Sequence, residues 1–391
     1  MTDTQLAIAI TGAGGAGVIS CGELLLKAWA KAGGRGLLRK AFGPQIRGGE
    51  AAALLKLTSD EAYTAASAYD VIVALDWVNF SRFEDEIRPT DSTVILCETT
   101  DNMPASLQSL PCITLPLEDL AVAAHPEGRV NMLVAGLLGR ALDLPAESLA
   151  TLARARLAGK AEAYSEGAIA CIDMGYKQRV ELAHTIPERS AEGSWCLTGN
   201  QAAGFGALQA GVRFAAAYPI TPASDALEWL AGGLEAVGGH LVQAEDELAA
   251  INMTIGAAFG GVTAFTATSG PGLALMTESI GLAVASETPL TVLNVMRGGP
   301  STGIPTKSEQ SDLNIALHGL HGDAPHLVLA PLDVADCAFT TGWAVQLAQR
   351  LQVPAIVLSD QFLGQSTAVV SPPREPTLPP ANDIIETDND Y

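Results

Sequence analysis

The chain has 391 residues, 48% of them apolar, with 22 basic and 43 acidic side chains and a net charge of −21. That much apolar content excludes intrinsic disorder, and the length is enough for two or three separate cores. The acidic balance excludes a protein that coats duplex nucleic acid, because phosphate neutralisation needs clustered Lys and Arg.

The charge is divided unevenly. Residues 1–213 hold 18 basic and 24 acidic side chains, a net of −6, whereas residues 214–391 hold 4 and 19, a net of −15. No Lys or Arg lies between Arg213 and Arg297. Either the second half is simply solvated by acids, or part of its surface packs against another chain. The N-terminus has no basic region followed by an apolar stretch and a small-residue cleavage site, so a cytoplasmic location is expected. The six cysteines form no CxxC pair and no zinc-like spacing with histidine, and are expected to be reduced core residues. Residues 248–277 carry no charge, but their glycines and Pro271 fit a helix, a strand and a loop better than a membrane span.

In chain order, a short apolar strand at 6–10 runs into Gly12-Ala13-Gly14-Gly15-Ala16-Gly17, and a helical pattern follows to Gly33-Gly34. Strands are predicted at 51–57, 71–75, 93–97 and 113–115, and Ala/Leu/Glu-rich helices over 129–170. This alternation suits a doubly wound α/β domain over 1–184, followed by a linker at 185–195. A second α/β domain is expected over 196–370, with helices near 222–231 and at 247–259. Its strands are predicted near 240–244 and at 262–267, 290–295, 327–330 and 355–358. Residues 371–391 read as a proline-rich acidic tail.

The run at 12–17 satisfies GxGxxG between strand and helix, a pattern that suits a phosphate at a helix N-terminus and equally suits a tight turn. An acid about 20 residues further on would favour a nicotinamide cofactor. The sequence there is Arg35-Gly36-Leu37-Leu38-Arg39-Lys40, so that reading is disfavoured. Lys27, Lys31, Arg35, Arg39, Lys40 and Arg47 lie with no acid between Glu23 and Glu50, as a polyphosphate site or as a solvated helix face.

In the second half, Tyr218-Pro219-Ile220-Thr221-Pro222 is a stiff turn. Thr221 either caps the next helix or presents its hydroxyl in a pocket. Glu247 opens the charge-free segment, as a helix cap or as a desolvated carboxylate suited to proton exchange. Thr268-Ser269-Gly270-Pro271-Gly272 is placed to form a backbone cradle at a sheet edge. Arg297 begins a long loop through Ser301, Thr302 and Lys307, and holds either a substrate carboxylate or a nearby acid.

These segments together resemble the 2-oxoacid:ferredoxin oxidoreductase family, in the form where a gamma domain is fused ahead of an alpha domain. YPITP, TSGPG and RGGPSTGIPTKSEQSDL in that order carry the resemblance in the second half; residues 10–17 and 41–49 carry it in the first. It implies a gamma-type domain associated with coenzyme A, followed by a thiamine diphosphate pyrimidine-binding domain. A beta subunit would bring the diphosphate and Mg²⁺ site and an iron–sulfur cluster, and pass electrons to ferredoxin. No metal site is expected on this chain, and neither membrane nor nucleic acid is an expected partner.

By resemblance, Glu247 hydrogen-bonds the aminopyrimidine ring and promotes the tautomer that deprotonates the thiazolium carbon. Thr221 and Arg297 contact the substrate's carbonyl and carboxylate, with Ser301 and Thr302 beside them. Tyr218, Pro219, Ile220, Ser269 and Gly270 would line the thiamine diphosphate, and Gly12, Gly14, Gly17 and Arg47 the coenzyme A. The gamma–alpha fusion implies CoA-dependent decarboxylation of 2-oxoglutarate, or the reverse carboxylation of succinyl-CoA. Two departures stand out. Ala16 replaces the family's usual Gln, and fused alpha subunits normally continue into a further α/β domain where this sequence ends. The second departure supports an alternative, a non-catalytic partner or assembly protein built on the same domains. A stand-alone nucleotide-binding oxidoreductase is a third reading.

Overall fold

A computed structural model describes residues 5–43, 49–182 and 184–376. It divides into two units: the described residues up to Thr198 with Gln365–Pro372, and Gly199–Gly364 with the described residues from Pro373 on.

The first unit holds β1 (Gln5–Ala13), α1 (Val18–Lys31), β2 (Arg35–Phe42), β3 (Glu50–Thr58), β4 (Tyr69–Ala74), β5 (Pro89–Cys97) and β6 (Cys112–Thr114). Helices α2 (Leu117–Ala124), α3 (Val130–Ala141), α4 (Ala146–Arg156) and α5 (Glu162–Lys177) follow, and β7 (Trp195–Thr198) ends the unit's first pass. The second unit runs α6 (Gly199–Gln209), β8 (Phe214–Ala217), α7 (Ser224–Ala236), β9 (His240–Gln243), α8 (Glu247–Phe259), β10 (Ala264–Thr268), α9 (Gly270–Ala285) and β11 (Thr291–Met296). It continues with α10 (Leu313–His318), β12 (Leu327–Leu329), α11 (Asp336–Leu351), β13 (Ala355–Asp360) and α12 (Gln361–Gln365), after which β14 (Thr367–Val370) returns to the first unit.

The chain is thus α/β throughout, but the two sheets differ. The first is mixed, in the order β6-β5-β4-β1-β3-β2-β14-β7. Strands β1, β4, β5 and β6 are parallel, whereas β1–β3, β2–β3, β2–β14 and β7–β14 are antiparallel. The sequence reading placed residues 196–370 in the second domain. In the structure β7 and β14 pair with each other and β14 with β2, so both strands complete the first sheet. Residues 184–194 run without helix or strand. In this stretch Arg189 stacks over Trp29, 5.4 Å from the ring centroid, and the Ala191 amide donates to the Gly33 carbonyl.

One face of the first sheet carries the larger core, where Leu25, Trp29, Leu133, Leu137 and Ile172 from α1, α3 and α5 bury strand residues Ile8, Ile10, Leu55 and Val73. The alternate strand residues, such as Ile72, Ile95 and Cys97, pack under Trp77, Phe80, Phe83 and Met103. All six cysteines are free. Cys21, Cys97, Cys171 and Cys337 are buried as expected, but Cys112 is exposed.

The second sheet, β12-β13-β11-β10-β8-β9, is wholly parallel. Strands of one direction place all their C-terminal ends along one edge, and the strand order reverses direction around β8 and β10. The YPITP turn follows β8, Glu247 follows β9, the TSGPG turn follows β10 and Arg297 follows β11. Four segments far apart in sequence therefore meet at one edge, because the sheet brings them there.

The candidate active site at the edge of the second sheet

Glu247 is the first residue of α8 and is 8% exposed. The residue before it takes the capping role, since the Asp246 carboxylate accepts the Ala249 amide at 2.7 Å. That separates the two readings of the acid cluster: the helix end is satisfied without Glu247. Its side chain lies against Gly272 at the start of α9. A Cβ built on Gly272 would stand 2.8 Å from Glu247 Cγ and 2.0 Å from Thr268 Oγ1. Only glycine leaves room for the carboxylate there. Gly272→Ala is expected to displace Glu247 and abolish activity in the reconstituted enzyme while circular dichroism stays native; full activity would show that the close approach is dispensable.

Arg297 is 8% exposed and, among the described residues, takes no salt bridge to an acid. Its guanidinium donates instead to two backbone carbonyls, Thr221 in the YPITP turn and Thr302 in its own loop. Burial pulls its pKa below the usual arginine value and the nearby Glu247 carboxylate opposes that change. Its Nε is buried and has no hydrogen-bond partner among the described residues. Thr221 is half-buried and does not cap α7, which starts at Ser224 behind Ala223; its carbonyl, not its hydroxyl, is the atom that Arg297 holds. Pro222 is fixed in turn, because buried Asn200 donates its Nδ2 to the Pro222 carbonyl at 2.8 Å. Tyr218 and Pro219 are exposed and Ile220 is half-buried.

The loop after Arg297 folds on itself. The Gly298 amide donates to the Lys307 carbonyl, and the Ile304 amide donates back to Gly298. Gly303 has a φ of +59°, and a Cβ there would meet the Gly298 carbonyl oxygen at 1.7 Å, so the crossing requires glycine. Ser301 and Thr302 are exposed at its tip. Asp312 closes the far side. It accepts from buried Asn294 at 2.9 Å, and its carboxylate lies 2.7 Å from where a Gly270 Cβ would be. Arg297, Gly270, Pro271, Ser301, Thr302 and Asp312 thus line a cavity of ≈360 Å³. Beside it Ser269 is fully buried, with its Oγ unpartnered. Buried donors without partners at a sheet edge are what a polar ligand would satisfy.

In the first unit, the glycine run turns from β1 into α1. Gly12 lies in the last two residues of β1, and the Gly14 amide donates to the Gly49 carbonyl at 2.6 Å. Gly17 starts the helix at φ +77°, with Asn131 donating to its carbonyl at 3.1 Å. Arg47 lies outside the described residues. Of the other bases read as a patch, Arg35 pairs with Glu61, Arg39 with Glu86 and Lys40 with Glu23. The glycine run opens instead into a cavity of ≈730 Å³ lined by Gly15, Gly17, Ser20, Arg129, Arg156 and Lys160, among others. Arg156 bridges Glu23 at 2.6 Å and Ser20 at 3.0 Å. Burial works against the charge on Glu23, but Lys40 and Arg156 hold its carboxyl below the usual range. These three bases come from α3–α5 and from the turns beside them. No local signal near the glycines announces them. Among the described residues, no group of three or more His, Cys, Asp or Glu could hold a metal ion, and no helix is long and apolar enough to cross a membrane.

Residues 7–178 match the family described as pyruvate ferredoxin/flavodoxin oxidoreductase, and residues 205–385 match its thiamine diphosphate-binding part. The chain belongs to the 2-oxoacid:ferredoxin oxidoreductase family. Among its relatives, the 2-oxoglutarate synthase subunit KorA of Archaeoglobus fulgidus is 46% identical over 188 residues, 48% of this chain and 53% of that protein. The 2-oxoglutarate oxidoreductase subunit KorA of Mycobacterium tuberculosis is 43% identical over 189 residues, 47% of this chain and 29% of its own. The match thus spans about half the length of the archaeal relative. A solved 2-oxoglutarate:ferredoxin oxidoreductase from Magnetococcus marinus, with 2-oxoglutarate, coenzyme A and succinyl-CoA bound, superposes with a TM-score of 0.85 at 34% identity. That superposition covers 95% of this chain and 66% of the other. In the oxidoreductase family's terms, the first unit is the gamma-like domain and the second the thiamine diphosphate-binding domain.

Proposed function

We propose that this chain is the fused gamma–alpha subunit of a thiamine diphosphate-dependent enzyme working with a beta subunit. It would decarboxylate 2-oxoglutarate oxidatively, using coenzyme A and ferredoxin, or carboxylate succinyl-CoA in reverse. The observation that carries this reading is Glu247, buried at a helix start, relieved of capping by Asp246, and seated against Gly272 beside Arg297.

The residues present fit the pyrimidine end of thiamine diphosphate: an uncapped buried carboxylate, a glycine cradle, and the unpartnered Ser269 hydroxyl. When bound, that cofactor supplies a carbon nucleophile for the 2-oxo carbon and a sink for the charge released with CO₂. Glu247 would hold a proton against a ring nitrogen. Arg297, tied to Thr221 and Thr302, would direct its remaining N–H at the substrate carboxylate, with Ser301 and Thr302 at the cavity mouth. Tyr218, Pro219, Ile220 and Gly270 would line the approach. In the gamma-like unit, Gly12, Gly14 and Gly17 would shape the turn near coenzyme A. Arg129, Arg156 and Lys160, which line the cavity at the glycine turn, would be placed to meet its phosphates.

A face beside Glu247 is suited to the beta subunit, which would bring Mg²⁺ and the iron–sulfur cluster. Leu248, Met253 and Phe259 on α8 and Leu275 and Leu282 on α9 are all more than 40% exposed, within or near the charge-free stretch. Apolar side chains grouped this way suit burial against another chain.

The test is co-expression with the neighbouring beta-type subunit, followed by ferredoxin reduction assays on a panel of 2-oxoacids. Reduction that requires 2-oxoglutarate, coenzyme A and thiamine diphosphate is expected. Reduction without an oxoacid would overturn the assignment, and a stable complex with no turnover on any oxoacid would favour the assembly-protein reading.

A further inference from the structure

We infer that Cys97 and Cys112 form a reversible dithiol–disulfide couple in the first unit, closed by a hydroperoxide. The inference is independent of the proposed function and uses none of its residues. Cys97 ends β5, 2% exposed, on the face that packs beneath Trp77 and Met103. Cys112 begins β6 and is exposed. Their sulfurs lie 3.5 Å apart.

The sheet holds them there. Ile95 is registered opposite Cys112 and Cys97 opposite Thr114, so the two cysteines sit diagonally on one face of neighbouring parallel strands. The Ile95 amide donates to the Pro111 carbonyl at 2.8 Å and the Leu115 amide to the Cys97 carbonyl at 3.0 Å, which clamps both ends of β6 onto β5. A disulfide bond is about 2.0 Å long, and cysteines one strand over and two residues along stand about 7–8 Å apart at Cα, so closure requires the three-residue edge strand β6 to shift toward Cys97 as well as both side chains to rotate.

Exposure sets the order of events. The Cys112 sulfur attacks one oxygen of the hydroperoxide, the O–O bond breaks, and the oxidant leaves reduced, as water or an alcohol. Cys112 is then a sulfenic acid. The Cys97 sulfur attacks the Cys112 sulfur, the S–O bond breaks, and the oxygen departs as water with the Cys97 proton. Two thiols have lost two electrons and two protons to one hydroperoxide, and one disulfide has formed. Burial and then the neighbouring Cys112 push the Cys97 thiol up to about 12, which favours Cys112 as the first sulfur to react. The product closes residues 98–111 into a loop and fastens a three-residue edge strand covalently.

The test treats the reduced full chain with hydrogen peroxide, alkylates it after denaturation and maps the peptides. A crosslinked Cys97–Cys112 peptide and an intact mass lower by about 2 Da, both reversed by dithiothreitol, are expected. Cys97→Ser should leave Cys112 as a sulfenic acid that dimedone traps; Cys112→Ser should leave Cys97 unmodified. Three results on the wild-type chain would overturn the inference: Cys112 oxidised to sulfinic acid with Cys97 still alkylated, Cys112 bridged to another cysteine, or neither thiol changed.

Discussion

Glu247→Gln is expected to lower turnover of the reconstituted enzyme by about 10²- to 10⁴-fold, the range for removing a positioned proton-transfer group. The substitution keeps the side chain's volume and removes only its ability to carry and release a proton. Its helix does not depend on it, because Asp246 satisfies the free amide at that end. The thermal unfolding midpoint should therefore stay at the wild-type value. Asp246→Ala is the matching control. It removes the cap and should cost about 1 kcal/mol of stability. Steady-state rates and melting curves of both variants, side by side, separate proton transfer from helix capping. Near-normal turnover in Glu247→Gln would remove its proposed role.

Arg297→Ala should have two effects at once. The guanidinium ties the YPITP turn to the loop after β11 through the Thr221 and Thr302 carbonyls. Its loss leaves both oxygens without their charged donor, at a cost of about 1–3 kcal/mol. The same side chain is placed to meet a substrate carboxylate, and losing that contact should raise KM for the oxoacid about 10- to 100-fold, as expected for a charged hydrogen bond. Urea melts and substrate titrations read the two effects separately. Lowered stability with an unchanged KM would leave Arg297 as a structural tie only. Arg297→Lys is expected to restore little, since one ammonium cannot span two carbonyls as the planar fork does.

The second half was the more legible in sequence. A wholly parallel sheet places successive strand–loop units along one edge, so the order YPITP, Glu247, TSGPG and Arg297 translates directly into neighbourhood. The helix over Glu247–Phe259 was readable because its start carries an acid cluster and its length suits the apolar run. The first half was harder. Its antiparallel strands join residues at unpredictable separations, and β14 returns from position 367 to pair with β2. The bases near Gly17 show the same difficulty. Lys27 through Arg47 stood out as a cluster, yet Arg35, Arg39 and Lys40 pair with Glu61, Glu86 and Glu23. The bases that line the glycine cavity, Arg129, Arg156 and Lys160, are distant in sequence and are assembled by helix packing.

The opening charge count takes on a definite shape in the fold. The stretch without Lys or Arg between Arg213 and Arg297 includes α8 and α9, which expose Leu248, Met253, Phe259, Leu275 and Leu282. By itself, the sequence determined the α/β class, the four loops of the second unit and the carboxylate and guanidinium among them, because turn chemistry and strand–loop alternation are local properties. Only the tertiary structure decided what each group touches. It gave the cap to Asp246 and left Glu247 against Gly272; it bound Arg297 to backbone carbonyls instead of an acid, and it set two cysteines 3.5 Å apart across neighbouring strands. Those outcomes depend on distances between residues far apart in the chain, and packing alone fixes such distances.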